Sequence, residues 1–198
     1  MKMKIICIVI LGIGLIILFQ SNIIMSTNKT EEQKYTLVKT YDDFEIRFYP
    51  PATIATISSS AKTYKELASP GFQKLAGYIF GDNKAKEKIS MTSPVHMDIN
   101  DTASKMSFVM PSSYTLESLP KPIDPTVLIS ESASEYVAVI KFSGFASDKD
   151  INYYSKKLQT LLLQNNITSF GNYRFYGYNP PYQLVNRRNE IVVGVKWK

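Results

Sequence analysis

From Ile5 to Phe19 the chain runs through 15 positions without a charged or strongly polar side chain, directly after the basic Lys2 and Lys4. A stretch apolar on every side cannot serve as a surface helix of a globular domain, which needs a polar face. A basic start followed by an apolar run is the shape of a signal peptide. The run is short of the about 20 residues that a spanning helix needs, but Ile23, Ile24 and Met25 extend it across the Gln20-Ser21-Asn22 interruption. Residues 1–25 therefore read as a signal peptide or an N-terminal membrane anchor. No Ala-x-Ala-like site follows the run, and Lys2 and Lys4 favour a cytoplasmic N-terminus. Either way the remainder is expected on the extracytoplasmic side, membrane-anchored or secreted. Residues 26–34 are polar and read as a tether, which leaves 35–198 as one domain.

Cys7 is the only cysteine and lies inside the apolar run. The domain thus has no internal disulfide, no thiol nucleophile and no cysteine metal site, and must be held by its core alone. About 165 residues are enough for one such core. Formal charge is +6, of which Lys2, Lys4 and Lys29 contribute three in or beside the leader, so the remainder carries about +3. No basic stripe interleaved with aromatics is present, and no nucleic-acid partner is expected.

Periodicity outlines the domain. Phe44, Ile46 and Phe48 alternate with Glu45, Arg47 and Tyr49, the period of a half-buried strand that Pro50-Pro51 ends. Ala52 to Ser58 reads as a second strand. Ser69 followed by Pro70 predicts a helix start, Phe72, Leu75, Ala76 and Ile79 follow at helical spacing, and Gly81 marks the stop. Val95, Met97 and Ile99 form the inward set of a strand whose other face, His96, Asp98 and Asn100, reads as solvated. Met106, Phe108 and Met110 form another. Beyond Pro120, Pro122 and Pro125 the order repeats: strands at Val127 to Ile129 and Tyr136 to Phe142, a capping box at Ser147 to Asp150, and a helix carrying Ile151, Tyr154, Leu158, Leu161 and Leu162. Strands around Tyr173 to Tyr178 and Glu190 to Trp197 close the chain. Two helices among about eight strands, in two similar halves, predict an internally duplicated α+β domain.

The common hydrolytic and metal-dependent mechanisms lack their parts. There is one histidine, no usable cysteine, and no HExxH, GxSxG or phosphate-loop pattern. Asp42-Asp43 and Glu31-Glu32 are adjacent carboxylates, but neighbours on a strand face opposite ways and make a poor acid–base pair.

Two segments carry more information. Lys88-Ile89-Ser90-Met91-Thr92-Ser93-Pro94-Val95 resembles the KIxMTxPV motif of the SOUL haem-binding family, and Gly177 to Glu190 is similar to that family's GYNxPxxxxNRxNE segment. The resemblance spans about Tyr35 to Trp197. It implies a distorted antiparallel β-barrel or sheet flanked by two helices, and reversible, non-covalent binding of haem or a related tetrapyrrole for transfer, buffering or scavenging. Such binding needs an apolar slot, basic groups for two propionates and, optionally, an axial donor. The 13 Tyr, 10 Phe and 7 Met supply material for a slot or, equally, for an ordinary core. In some vertebrate relatives a histidine follows the arginine of a YEIRHY-like strand. Here Phe48 takes its place, in the core-facing set with Phe44 and Ile46. His96 and Met91 remain as axial candidates, against the alternatives of a solvated histidine and a core-filling thioether. The family's proposed site, between the first helix and the loop joining the last strands, maps onto Phe72, Leu75, Tyr78 and Ile79 as walls and Tyr182, Arg187 and Arg188 as loop residues. The two arginines either grip propionates or form a tight polar turn. Competing functions are a non-haem small-molecule or protein-interaction module of the same fold, and a tetrapyrrole-ester hydrolase, for which no nucleophile stands out.

Overall fold

The computed structural model describes residues 2–197. Helix α1 (Lys2–Asn28) carries the apolar run, with its side chains from Ile5 to Phe19 mostly exposed. Two polar residues of the interruption are satisfied within the helix: Ser21 Oγ donates to the Ile17 carbonyl at 2.9 Å and Asn22 Nδ2 to that of Leu18 at 3.0 Å. Back-bonding of this kind lets α1 continue through Asn22. The expected tether over 26–34 is attached to the domain instead. Its first residues complete α1, and β1 (Glu31–Glu32) then pairs in parallel with β5 (Thr92–Ser93). A polar composition suggested a free segment, but the Gln33 amide also finds a partner in the Ser93 carbonyl at 2.8 Å.

The remaining strands are β2 (Thr36–Thr40), β3 (Glu45–Tyr49), β4 (Thr53–Ser59), β6 (Val95–Asp98), β7 (Ser104–Val109), β8 (Leu128–Glu131), β9 (Glu135–Phe142), β10 (Ser169–Gly177) and β11 (Asn189–Val195). They form one nine-stranded antiparallel sheet in the order β2-β3-β9-β11-β10-β6-β7-β4-β8. The sheet is open, with β2 and β8 at its edges. The ninth strand is β2, whose residues are all exposed, so it has no inward set for periodicity to reveal.

The duplication expected from the repeated element order is present as topology. In each half the strand before the helix pairs with the last strand, which pairs with the first strand of the nine-stranded sheet after the helix: β4-β7-β6 around α2 (Tyr64–Phe80), and β9-β11-β10 around α3 (Asp148–Gln164). Pairing of β6 with β10 joins the halves. Each half also extends the other's edge, the β2–β3 pair beside β9 and β8 beside β4.

Both helices cover one face of the sheet. There Ile46, Ile57, Met106, Phe108, Ile140, Phe175 and Ile191 meet Leu67, Leu75 and Ile79 of α2 and Leu158 and Leu162 of α3. Helix α3 starts as expected, with a reciprocal capping box between Ser147 and Asp150. Helix α2 does not. It begins at Tyr64, where Thr63 accepts the Glu66 amide, and Pro70 lies inside it. Burial of Leu67 and packing of Tyr64 against Phe175, with ring centroids 5.2 Å apart, favour the longer helix over a start at Pro70. Gly81, at φ 121°, ends it as expected.

Candidate functional site

The two sequence motifs build scaffold first. Within Lys88 to Val95, Ile89 is buried and its amide donates to the Ile79 carbonyl at 2.8 Å, which fastens the end of α2. Thr92 Oγ1 donates to the Val109 carbonyl, Ser93–Pro94 is cis, and Met91 packs, half-buried, against the core. In the second motif Asn179 Oδ1 accepts the Arg188 amide at 2.6 Å. Buried Gln183 donates to the carbonyls of Val185 and Asn186, and Asn189 Nδ2 to that of Gly144. Asn186 takes a positive φ of 53° to close the turn.

The two arginines are already engaged in this turn. Arg187 donates to the carbonyls of Pro180 and Gln183, both at 2.7 Å, and lies 4.4 Å from the centre of the Phe145 ring. Burial holds its guanidinium below the usual value, with the nearby Tyr64 acting against that shift. Arg188 donates to Glu190 through Nε and Nη2 and to Glu32 at 3.1 Å, and its guanidinium lies 3.8 Å from the centre of the Tyr178 ring. Of the expected helical walls, Leu75, Tyr78 and Ile79 are sealed in the core, and the Tyr78 hydroxyl donates to the Pro120 carbonyl at 2.9 Å. Burial raises the Tyr78 phenol to about 12. Phe72 and Tyr182 are exposed, Phe72 tilted against Phe108. The residues assigned to a helix–loop slot thus divide between core, turn and surface.

The sheet face away from the helices holds a polar core that periodicity assigned to solvent. Arg47 and Glu190, both 0% exposed, form a two-pronged ion pair at 2.9 and 3.1 Å. Tyr178 donates to Glu190 at 2.8 Å, Glu45 accepts from Arg47 and from Lys141, and the Tyr35 ring lies 4.2 Å from the Arg47 guanidinium. Burial alone would lower the Arg47 pKa, but the Glu190 carboxylate reverses this and holds the guanidinium charged. His96 belongs to the same face, and the expectation that it is solvated is corrected. Its ring stacks on Tyr176 at 3.8 Å and 2°, and Nε2 is buried without a hydrogen-bond partner. Burial, with Arg174 nearby, pushes its pKa down to about 3. The reason is register: His96 lies opposite Tyr176 on β10, whose large ring covers it. Among the described residues no cluster of His, Cys, Asp or Glu could hold a metal ion.

An open cleft of about 660 Å³ lies where β3 and β11 end and β9 and β10 begin. Phe48, Tyr136, Phe170 and Trp197 line it, with Lys196, Arg174 and Glu135 at its polar margin. Phe48 and Tyr136 meet at 4.9 Å, and Arg174 is held in a bidentate pair with Glu135, both bonds at 2.8 Å. Its size falls within the about 300–1,000 Å³ usual for small-molecule sites. Phe48 therefore borders the cleft and is only half-buried, rather than lying in the core with Ile46. Sequence reasoning assigned Phe48 to the core and named none of these residues as a site, because four strand ends supply the walls and no local pattern links them.

The architecture is shared with solved structures of low sequence identity. A hydrolase from Listeria innocua superposes with a TM-score of 0.56 at 10% identity over 80% of this chain and 94% of that one. The EcmrR C-terminal domain gives 0.55 at 11% over 83% and 99%. At such identities the likeness defines only a fold class, a strand–helix domain built as a duplicate. Sequence comparison is more specific: the SOUL heme-binding protein family matches residues 30–194. The chain belongs to that family. Heme-binding protein 2 of Homo sapiens is 31% identical over 157 residues, covering 75% of this chain and 76% of that protein. Heme-binding protein 1 of Xenopus laevis is 30% identical over 155 residues, covering 75% and 81%.

Proposed function

We propose that this protein binds haem or a related tetrapyrrole reversibly and without a covalent link, in the cleft between Phe48, Tyr136, Phe170 and Trp197, on the extracytoplasmic side of a membrane that α1 spans. Membership of the SOUL family, whose relatives here are named for haem binding, supports the ligand class. The observation that carries the choice of site is the aromatic lining of a cleft of about 660 Å³ beside exposed Lys196. A flat conjugated ring stacks on such walls, and an exposed ammonium can meet a propionate. The helix–loop slot offers less, since three of its four helical walls, Leu75, Tyr78 and Ile79, are in the core and its arginines are bound to carbonyls and carboxylates. Lys2 and Lys4 before the apolar stretch support a cytoplasmic N-terminus.

Titrating haemin into the full chain in nanodiscs, followed by Soret absorbance, tests the reading. The expected result is saturable one-to-one binding, weakened about tenfold or more by Phe170→Ala with Trp197→Ala, about the loss of 1.4 kcal/mol. Failure of the wild-type protein to saturate would overturn the function. Weakening only by Arg187→Ala with Arg188→Ala would return the site to the loop.

A further inference from the structure

The loop of the second motif makes contacts that neither the fold nor tetrapyrrole binding requires. Gln20 of α1 donates to the Tyr182 carbonyl at 3.2 Å and accepts the Leu184 amide at 2.9 Å. Thr27, two turns further on, donates to buried Gln183 at 2.9 Å. The loop is thereby fastened to α1 at two levels, while Tyr182, Leu184 and Val185 stay more than half exposed.

Helix length sets the depth at which this happens. At about 1.5 Å per residue, Ile5 to Phe19 covers about 22 Å, whereas the hydrocarbon layer is about 30 Å thick. A spanning α1 therefore carries its apolar character past Gln20 to Ile23 and Ile24. Ser21 and Asn22 meet that condition by bonding back to the helix, and Gln20 meets it by bonding to the loop. The backbone of Tyr182 to Leu184 must then lie at the outer edge of the hydrocarbon. A tyrosine and two branched apolar side chains, exposed there, suit that boundary.

We propose that Tyr182 to Val185 forms a second membrane contact, seated at the headgroup–hydrocarbon boundary of the bilayer that α1 spans. The inference rests on the reading of α1 as an anchor. The test uses the full chain with Cys7→Ser, reconstituted into phosphatidylcholine–phosphatidylglycerol vesicles, with an environment-sensitive fluorophore on Leu184→Cys. Ile13→Cys reports on α1. Ile123→Cys is the control, an equally exposed apolar residue outside the loop, whose amide donates to the Asp82 carbonyl just past the end of α2. The expected result is blue-shifted emission at 13 and 184, quenched at 13 by lipids spin-labelled deep in the acyl chain and at 184 by lipids spin-labelled near the headgroup, with 123 unaffected. Quenching at 13 but not at 184 would overturn the loop contact and leave the anchor standing. A blue shift at 184 without lipid quenching would assign the surface to protein and overturn it also. No quenching at 13 would remove both.

Discussion

At the scale of single residues, His96 and the Arg47–Glu190 pair show how burial changes the role a side chain can take. His96 is stacked, sealed at Nε2 and held neutral by desolvation. Its folded pKa of about 3 lies below the unfolded value of about 6.5. Between those values the unfolded chain binds a proton that the folded chain refuses, so stability falls as pH falls, by up to about 1.4 kcal/mol per pH unit. His96→Phe should flatten that slope in denaturant titrations from pH 7 to pH 4, and an unchanged slope would mean that the histidine charges freely. Glu190→Gln should leave Arg47 with Glu45 as its remaining carboxylate partner and cost less than the about 3–5 kcal/mol of a fully unpaired buried charge, seen as a lower urea midpoint. Phe48→His should place an imidazole at the cleft wall and move the haemin spectrum toward an axially ligated form. An unchanged spectrum would mean that the ring does not sit against Phe48. None of these pairings could be read from the chain alone. Glu45, Arg47 and Tyr49 alternate like a solvent face, and their cover, Glu190 and Tyr35, is supplied by other strands and by the stretch before β2.

At the scale of elements, the alternation of β3, β6, β7 and β9 and the helical spacing of α3 were legible because each buries one apolar set against a common core. The start of α2 was not. Ser69-Pro70 is a strong local start signal, yet Thr63 caps a helix that begins earlier and tolerates a proline in its interior. Pro70→Ala should then restore a helical hydrogen bond and raise stability, toward the about 3 kcal/mol that an interior proline costs, measured as a higher melting temperature. A fall would mean that the helix starts at Pro70. Strand β2 escaped detection for the opposite reason, having no buried residue at all.

At the scale of the whole molecule, the duplication is carried by connectivity rather than by repeated residues, and each half completes the other's sheet edge. The cleft belongs to this level, since Phe48, Tyr136, Phe170 and Trp197 come together only when four strands are in register. Trp197 is the only tryptophan, so its indole gives a single resonance inside the proposed site. The decisive measurement is the nuclear magnetic resonance spectrum of the full chain, 15N-labelled at tryptophan and arginine, in micelles during titration with diamagnetic zinc protoporphyrin. Binding in the cleft predicts a saturable ring-current shift of the Trp197 indole, with the Arg187 and Arg188 signals unmoved. A stationary indole with shifted arginine signals would contradict it.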